Sequence, residues 1–359
     1  MNVKNKVISF LAVEKVAAVY CALTCVLMLI MMPRLVDPVG MAVMRVEWLA
    51  MTLCLAFAQR FTARFFASPD RERVGVGLHS SIFTFIRVSA QMAWLAVWYP
   101  DTYEFNRSFN NLDHLFAAAD QSLFGCQPSL EFSQALPSAF WSEAFNLGYW
   151  SYFPMIGLLL VTIFIKEWCH SSFVPRHSSF VPRHSSFVIR PSSFVPRPSS
   201  LFISVAATIL TAFFLYYVIY IFLPVVGPQF YFQAVGIAEI QQGHFPVLGT
   251  YFSSHTEMLP PPGWADGLFS RLVAMAHEAG ERPTAAFPSS HIGISTLLLL
   301  LARRHAPKLL YVLVPLWTLL CCATVYIQAH YVVDAIAGLI SAPLALWAAS
   351  RLVKNFVRQ

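Results

Sequence analysis

The chain alternates between long apolar runs and shorter polar segments. A run of roughly 20 apolar residues is long enough to cross the hydrocarbon core of a bilayer as an α-helix. We predict eight membrane-spanning helices on this basis, at residues 8–32, 39–58, 79–99, 143–165, 201–224, 286–302, 309–328 and 330–350. The second span carries Arg45 and Glu47, and the sixth is short unless it includes Phe287 and Pro288. The predicted fold class is therefore all-α, a polytopic membrane helical bundle.

The composition supports a membrane protein rather than a soluble one. Hydrophobic residues make up 57% of the chain and charged residues 12%, and the mean hydropathy is +0.59, which are values far from those of soluble domains. Lys4 and Lys6 before the first apolar run resemble the start of a cleavable signal peptide. That run is too long for a signal and lacks a convincing small-residue cleavage site, so we interpret it as an uncleaved first span.

The distribution of positive charge predicts an orientation in the membrane. Lys and Arg accumulate in cytoplasmic loops, and with a cytoplasmic N-terminus only Arg34, Arg107, Arg271 and Arg282 fall in outer segments. We therefore predict cytoplasmic N- and C-termini, and a plasma (inner) membrane location if the protein is bacterial. The accumulation of Lys and Arg in cytoplasmic segments explains the net charge of +6, so we infer no nucleic-acid partner.

The cysteines give no sign of a disulfide framework or a metal site. Of the 7 cysteines, Cys126 alone is predicted in an outer loop, Cys169 is predicted to be cytoplasmic, and the others fall in spans. No C-x-x-C spacing occurs. We predict that the protein needs neither a metal nor another cofactor.

A tandem repeat of seven residues begins at residues 171–177 and continues in degenerate copies to residue 198. Its prolines exclude a coiled coil, because proline breaks a helix and no repeat supplies a two-position apolar seam. We interpret the segment as a tolerated cytoplasmic insertion, with contact to anionic lipid headgroups as the functional alternative. Its histidines, His177 and His184, are not candidates for a site.

Two outer segments, 100–142 and 225–285, are long enough to contribute to a site. The first contains Asn111-Leu112-Asp113 and then Leu123-Phe124-Gly125, which predict a short interfacial helix and a turn. The second contains an amphipathic stretch from about Trp264 to His277. We predict that the two segments form a lid over an outer-face pocket, which suits a substrate that stays partly in the lipid.

The strongest chemical signal is a pair of histidines, His291 and His330, each placed where an apolar helix begins. Helix N-termini present unpaired N–H groups and the positive end of a dipole, so two of them meeting at one surface predict a phosphate site. Asp334 lies four residues after His330, on the same helix face, where a carboxylate can orient the imidazole for nucleophilic attack. His291 is then available as a general acid.

The segments FPSSH, HYVVDAIAG, NLD…LFG and LPVVGPQFYF together resemble the type 2 phosphatidic acid phosphatase superfamily, with the closest likeness to its inositol phosphorylceramide synthase branch. The resemblance covers roughly residues 105–345. It implies a core of six membrane helices and a phosphohistidine mechanism, in which His330 attacks phosphorus, Asp334 orients it and His291 protonates the leaving oxygen. Ser289 and Ser290 would supply donors to the phosphoryl oxygens.

The chain departs from the family pattern at two phosphate-binding positions. The family's third motif has Ser-Arg seven and six residues before its histidine, and Ala323 and Thr324 occupy those positions before His330. The family's first motif is KxxxxxxRP, and Met275 stands at its lysine position before Arg282 and Pro283. Arg282, followed by Pro283, is the best remaining cation for the substrate phosphate. The inositol phosphorylceramide synthase branch also tends to lack the third-motif arginine, so its absence favours that branch.

Purely structural interpretations of these residues compete with the catalytic one. Either histidine motif alone would be read as a helix cap or as a hydrogen bond between helices, but ionisable groups in spans are costly and usually functional. We interpret His255, His277 and Asp113 as structural or solvated. Arg45, Glu47 and Arg87 are expected to form buried ion pairs between helices.

The function that we predict is phosphoryl transfer from a membrane lipid phosphate at the outer face of the bilayer. Water as the acceptor would make the protein a lipid phosphatase, and a polyol such as inositol or a sugar would make it a phosphotransferase. The alternative is a catalytically inactive bundle that binds lipid. The phosphoryl-transfer mechanism requires the two histidine rings to lie within about one phosphate of each other, on the order of 4–8 Å.

The predicted organisation has five parts. They are N-terminal spans at 1–100, an outer loop and fourth span at 101–170, the repeat insertion at 171–200, a catalytic membrane bundle at 201–350 and a cytoplasmic tail at 351–359.

Overall fold

The computed structural model describes residues 9–66, 73–173 and 200–357, and within these ranges it is helical without strands. The helices are α1 Ala12–Met31, α2 Pro38–Phe66, α3 Arg73–Ala93, α4 Leu95–Asn106, α5 Asp113–Phe124, α6 Pro128–Ala135, α7 Ala139–Trp150, α8 Tyr152–Phe173, α9 Ser200–Phe222, α10 Pro228–Val235, α11 Ile237–Gln241, α12 Leu268–Gly280, α13 Ser290–His305, α14 Leu310–Tyr326 and α15 Val332–Val357. Short 3-10 turns lie at Met32–Arg34, Tyr251–Ser253 and Pro307–Leu309. The predicted all-α membrane bundle is confirmed.

In the described ranges, 7 helical segments are long and apolar enough to cross a membrane. They are Ala12–Arg34, Pro38–Thr62, Ser80–Asn106, Tyr152–Cys169, Leu201–Phe222, Pro307–Tyr326 and Val332–Val357. The predicted span at 286–302 is not among them, because its helix, α13, has only 16 residues and begins at Ser290. The preceding residues form the turn that carries Ala286, and this turn takes part in the site described below.

Although short, α13 connects the two ends of the bundle. The Tyr152 hydroxyl at the start of α8 donates to the Ser290 carbonyl at 3.3 Å. The Lys166 ammonium near the end of α8 donates to the His305 carbonyl at 2.7 Å. Because α13 follows α8 from one end to the other, it runs the length of the bundle although it is not among the 7 candidate spans. We call the end that carries His291 and His330 the histidine end, and the other the far end.

The first and last described helices meet at the far end. The Lys15 ammonium in α1 donates to the Phe356 carbonyl in α15 at 3.4 Å, and α15 runs there from His330 at the histidine end. At the far end, too, the Glu167 carboxylate accepts the first backbone N–H groups of α9, from Leu201 at 3.3 Å and Phe202 at 2.9 Å. Residues 15 and 356 therefore lie on the side opposite the histidine pair.

Helix α9 forms the centre of the bundle. Of its most apolar window, 72% is buried inside the protein, against 22–33% for the other spans. It packs against α1, α4, α8, α13 and α15. The ring of Phe214 in α9 stacks on Tyr20 of α1, with centroids 4.0 Å apart. Helix α9 therefore joins the N-terminal helices to the half of the bundle that carries the histidines.

Two of the three ionisable residues singled out in the early spans form buried ion pairs. Arg45 pairs with Asp101 at 2.9 Å and Arg87 with Glu14 at 2.5 Å, which confirms the prediction for both arginines. The prediction was wrong for Glu47, whose side chain is exposed on α2. Positions two apart on a helix point in different directions, so Arg45 and Glu47 cannot both face the core.

The two predicted outer segments gather at the histidine end. They contain α5, α6 and α7 before α8, and α10, α11 and α12 between α9 and α13. Helix α7 packs against α14 and α12, so these helices cover the end of the bundle beside the histidines. Apart from its first three residues at the end of α8, the predicted repeat insertion lies outside the described residues up to residue 199.

Candidate active site

His330 lies in the turn between α14 and α15 and is only 3% exposed. Its backbone N–H donates to the Thr324 carbonyl at 3.0 Å. Two residues earlier, the Gln328 carbonyl accepts from the Gln229 N–H at 2.8 Å. These bonds tie the histidine segment to the end of α14 and to the start of α10, so the backbone of His330 is fixed from both sides.

The His330 imidazole is held in one tautomer. Its Nδ1 lies 2.8 Å from the carbonyl oxygen of Ala286, and a carbonyl oxygen only accepts hydrogen bonds. Nδ1 therefore carries the proton, and Nε2 has a free lone pair. Burial lowers the pKa of His330 to about 4, so the ring is neutral at neutral pH. A neutral imidazole with a bare Nε2 is a nucleophile.

His291 stands in the first turn of α13 and faces that lone pair. Its Nδ1 lies 3.3 Å from His330 Nε2, and the ring centroids are 5.5 Å apart. The centroid distance lies within the predicted range of about 4–8 Å. His291 is half-buried between the rings of Tyr149 and Tyr152, with centroids at 4.7 and 4.5 Å. Because His330 Nε2 has no proton, His291 Nδ1 is the donor of this contact.

Asp334 does not make the hydrogen bond expected of it. Its Oδ2 lies 3.7 Å from His330 Nδ1, beyond hydrogen-bond distance, and accepts instead from the Tyr331 N–H at 3.0 Å. Its Oδ1 is buried with no hydrogen-bond partner among the described residues. The orienting acceptor of His330 is the Ala286 carbonyl, a backbone group that no residue pattern identifies.

The N-terminus of α15 is not open to a phosphate, contrary to our expectation. The N–H groups of Val332 and Val333 donate to the two carboxylate oxygens of Asp120 at 2.9 and 3.1 Å. Asp120 is fully buried, and burial raises the pKa of its carboxyl group. An internal carboxylate thus occupies the place where a helix N-terminus would bind an external anion.

The N-terminus of α13 is also engaged. The fully buried Ser289 caps the helix, with its hydroxyl accepting from the Ile292 N–H at 3.4 Å. The Ser290 N–H donates to the Tyr220 hydroxyl at 3.0 Å. The predicted role of Ser289 and Ser290 as donors to phosphoryl oxygens is therefore not prepared in this geometry. The Ser289 hydroxyl already caps α13, and the Ser290 N–H is bonded to Tyr220 of α9.

Arg282 is half-buried and its Nη1 donates to the carbonyl of Glu281 at 2.9 Å. Within the described ranges, no hydrogen bond joins Arg282 to the histidine pair or to the serines. Glu281 accepts from the Tyr99 hydroxyl at 3.2 Å, and burial raises the pKa of Glu281. His277, which we interpreted as structural or solvated, lies next to a neighbour of the pair. Its ring meets that of Tyr149 edge-on, with centroids 5.8 Å apart.

Asp113 is structural, as we interpreted it, and it also supports the site. It accepts from the N–H groups of Val226 at 2.7 Å and Gly227 at 2.8 Å, and from the Tyr331 hydroxyl at 3.0 Å. Burial raises its pKa to about 6. Asp120 was missed at the sequence level. The available signal was its position on α5, seven residues or two helical turns after Asp113, which places both carboxylates on the same face of that helix.

No group of three or more His, Cys, Asp or Glu side chains in the described part of the chain is placed to hold a metal ion. The absence of a metal or cofactor requirement remains a prediction.

Comparison with known proteins gives one match. Residues 192–348 match the family model described as the PAP2 superfamily, a range that contains both histidine motifs, α9 to α14 and most of α15. No curated protein and no solved structure matches the chain. The match supports the resemblance to the type 2 phosphatidic acid phosphatase superfamily. The inositol phosphorylceramide synthase branch remains a prediction.

Proposed function

We propose that this multi-pass membrane protein is an enzyme that transfers a phosphoryl group from a lipid phosphate through a covalent phosphohistidine. The observation that carries the proposal is the 3.3 Å contact between His291 Nδ1 and the bare Nε2 of His330. The PAP2 match over both histidine motifs supports the same class of reaction.

In the first step, His330 Nε2 attacks phosphorus and the bond from phosphorus to the leaving oxygen breaks. His291, as the doubly protonated imidazolium, gives its Nδ1 proton to that oxygen and becomes neutral. At 3.3 Å, His291 Nδ1 and His330 Nε2 leave no room for a phosphoryl group between them. Substrate binding must therefore move the two rings apart. His291 is the ring that moves, because it is half-buried whereas His330 is 3% exposed and bonded to Ala286.

In the second step, a hydroxyl group attacks the phosphohistidine from the side of His291. Its oxygen bonds to phosphorus, the bond to His330 Nε2 breaks, and His291 takes the hydroxyl proton. Water as the acceptor gives a lipid phosphatase, and an alcohol such as inositol or a sugar gives a phosphotransferase. His291 is again protonated at the end of either reaction.

Asp334 stabilises the positive charge that develops on His330 as phosphorus bonds to Nε2. Its Oδ2 lies 3.7 Å from Nδ1 in a fully buried setting, where charges interact more strongly than in water. Arg282 is the proposed cation for the phosphate, which requires its guanidinium to turn from the Glu281 carbonyl towards the pair. Ser289 and Ser290 remain proposed contacts of the phosphoryl oxygens.

The histidine end is proposed to face away from the cytoplasm, with both chain termini on the cytoplasmic side. Exposed apolar residues of the segment before α13 include Trp264, Leu268 and Met275. Amphipathic helices with such residues lie in the headgroup region of a bilayer, which supports a substrate that reaches the site from the lipid.

Purified protein in detergent with EDTA, given a panel of radiolabelled phospholipids with and without inositol, tests the proposal. The comparison is between wild type, His330→Ala and the control His255→Ala, which changes an exposed histidine stacked on Tyr251. Free labelled phosphate from wild type and the control alone would establish a phosphatase, and label moved to inositol or a lipid alcohol a transferase. No turnover by any of the three proteins would favour the inactive lipid-binding bundle, and equal turnover by all three would contradict the role of His330.

A further inference from the structure

Helix α5 lies against the beginning of α15 although the two helices are separated by about 200 residues of chain. The contact is made by two fully buried aspartates, Asp113 and Asp120. We call this pair of carboxylates the α5 clamp. Asp120 binds the backbone that follows His330, and Asp113 binds the Tyr331 hydroxyl and the turn at Val226 and Gly227. Neither has a role in the chemistry proposed above.

Asp120 binds the segment that follows the nucleophile. Its two oxygens accept from consecutive N–H groups, those of Val332 at 2.9 Å and Val333 at 3.1 Å. Buried N–H groups must be paired, and a carboxylate at a helix N-terminus also interacts favourably with the helix dipole. Asp120 therefore fixes where α15 begins, two residues after His330.

Asp113 binds the nucleophile segment from the other side. It accepts from the Tyr331 hydroxyl and from the N–H groups of Val226 and Gly227. A Cβ on Gly227 would lie 2.5 Å from the Ala329 carbonyl oxygen, so that turn is in close contact with the residue before His330. One carboxylate thus joins α5, the turn before α10 and the residue after the nucleophile.

We propose that Asp113 and Asp120 are positioning residues for His330, so that the catalytic unit includes α5 as well as the PAP2-matched residues 192–348. The clamp sets the position of Nε2 towards phosphorus in two ways. Asp120 fixes the backbone that follows the ring, and Asp113 fixes the Gly227 turn that packs against Ala329, the residue before it. This inference rests on the proposed phosphohistidine function, and it assigns the clamp to the chemical step rather than to substrate binding.

A rival role for Asp120 predicts the opposite result. Its carboxylate occupies the N-terminus of α15, which could itself bind the substrate phosphate. In that case Asp120 would mimic a phosphate and would have to leave before the substrate binds. Removal of a phosphate mimic would strengthen substrate binding and raise activity. Removal of a positioning group would lower the rate of the chemical step and leave binding largely intact.

The kinetic test compares Asp120→Ala, Asp120→Asn and the control Ser122→Ala, which changes an exposed residue of the same helix. Misplacement by about 1 Å can cost roughly 100-fold in rate, so we expect Asp120→Ala to lower kcat by about that factor, with KM changed by less than about threefold. Asp120→Asn keeps one acceptor oxygen and should recover part of the loss. An unchanged or higher kcat with a lower KM in Asp120→Ala would overturn the proposal.

A second readout does not depend on activity. The ¹⁵N chemical shifts of the His330 imidazole report which ring nitrogen carries the proton, and His330→Gln identifies the signals. We expect one tautomer, protonated at Nδ1, in wild type and Ser122→Ala. In Asp120→Ala we expect altered shifts of His330 and of its partner His291, with the histidines outside this pair unchanged. Unaltered His330 shifts would overturn the clamp. If His330→Ala retains activity, the proposed function fails while this measurement still decides the role of Asp120.

Discussion

The backbone around His330 adopts conformations that ordinary residues avoid. Ala285 has φ of 70° and Gln328 has φ of 64°, in the left-handed region that costs a residue with a Cβ about 1–2 kcal/mol. Ala285 immediately precedes the carbonyl that accepts from His330 Nδ1, and Gln328 lies two residues before His330. Such strain persists only where neighbouring contacts enforce it, and it is common at functional sites.

The tautomer and burial of His330 predict an unusual titration. The ring should remain neutral until the pH falls to about 4, instead of gaining a proton near the ordinary value of about 6.5. Because the folded pKa lies below the unfolded one, this group lowers stability as the pH falls from about 6.5 to 4. A pH titration of the His330 ¹⁵N shifts checks this, and a midpoint near 6.5 would contradict the proposed environment.

Gly227 should be intolerant of alanine. Its φ is 93°, and an added Cβ would lie 2.5 Å from the Ala329 carbonyl oxygen. We expect Gly227→Ala to lower the free energy of unfolding by roughly 2–5 kcal/mol through backbone strain and overpacking. Gly236→Ala is the matched control, since its φ is 95° with nothing within 4 Å of the added Cβ. Equal unfolding midpoints of the two variants in denaturant would contradict the contact with Ala329.

At the scale of elements, the distance between the histidines depends on the crossing of α13 and α15. These helices pack closely because Gly338 of α15 lies against the backbone of Ser289, where an added Cβ would be 2.6 Å from the carbonyl oxygen. The Ser289 N–H also donates to the Asp334 carbonyl at 3.1 Å. Small residues allow such close contacts between membrane helices.

Gly338→Ala should therefore push α13 away from α15 and separate the two catalytic rings. We expect a loss of about 10-fold or more in activity, because catalytic geometry tolerates little displacement. Gly157→Ala is the control, since Gly157 lies in α8 with nothing within 4 Å of an added Cβ. Steady-state assays on matched amounts of folded protein make the comparison, and equal activity of the two variants would refute the role of the crossing.

The sequence predicted these elements unevenly, for physical reasons. Apolar runs identified the spans because the bilayer sets their length, but α13 is shorter than its run since the FPS segment forms a turn. The pairing of His291 with His330 was predictable because both motifs begin helices. The Ala286 carbonyl and Asp120 were not, because a backbone acceptor and a long-range carboxylate cap depend on the packing of distant segments.

At the scale of the molecule, the PAP2-matched residues 192–348 account for less than half of the chain. The remaining described helices are bound to them by specific contacts. Trp98 of α4 is fully buried against Tyr20 and Phe214, and the Asn106 amide donates to the Tyr220 carbonyl at 3.0 Å. The N-terminal helices therefore form part of one bundle with the site.

The topology predicts opposite labelling of two native cysteines. Cys126 follows α5 at the histidine end, and Cys169 is exposed near the far end of α8. In single-cysteine variants within sealed cells, a membrane-impermeant maleimide should label Cys126 directly and Cys169 only after permeabilisation. Labelling of Cys169 without permeabilisation would reverse the proposed orientation, and labelling of both from one side would contradict the bundle itself.

The most direct test of the central claim is to trap the covalent intermediate. Protein in EDTA is mixed briefly with a lipid labelled at phosphorus, quenched at alkaline pH to preserve the phosphorus–nitrogen bond, and digested for mass spectrometry. We predict a phosphoryl group on His330 in wild type and none in His330→Ala. Turnover by His330→Ala, or a label on a different residue in wild type, would contradict the phosphohistidine mechanism.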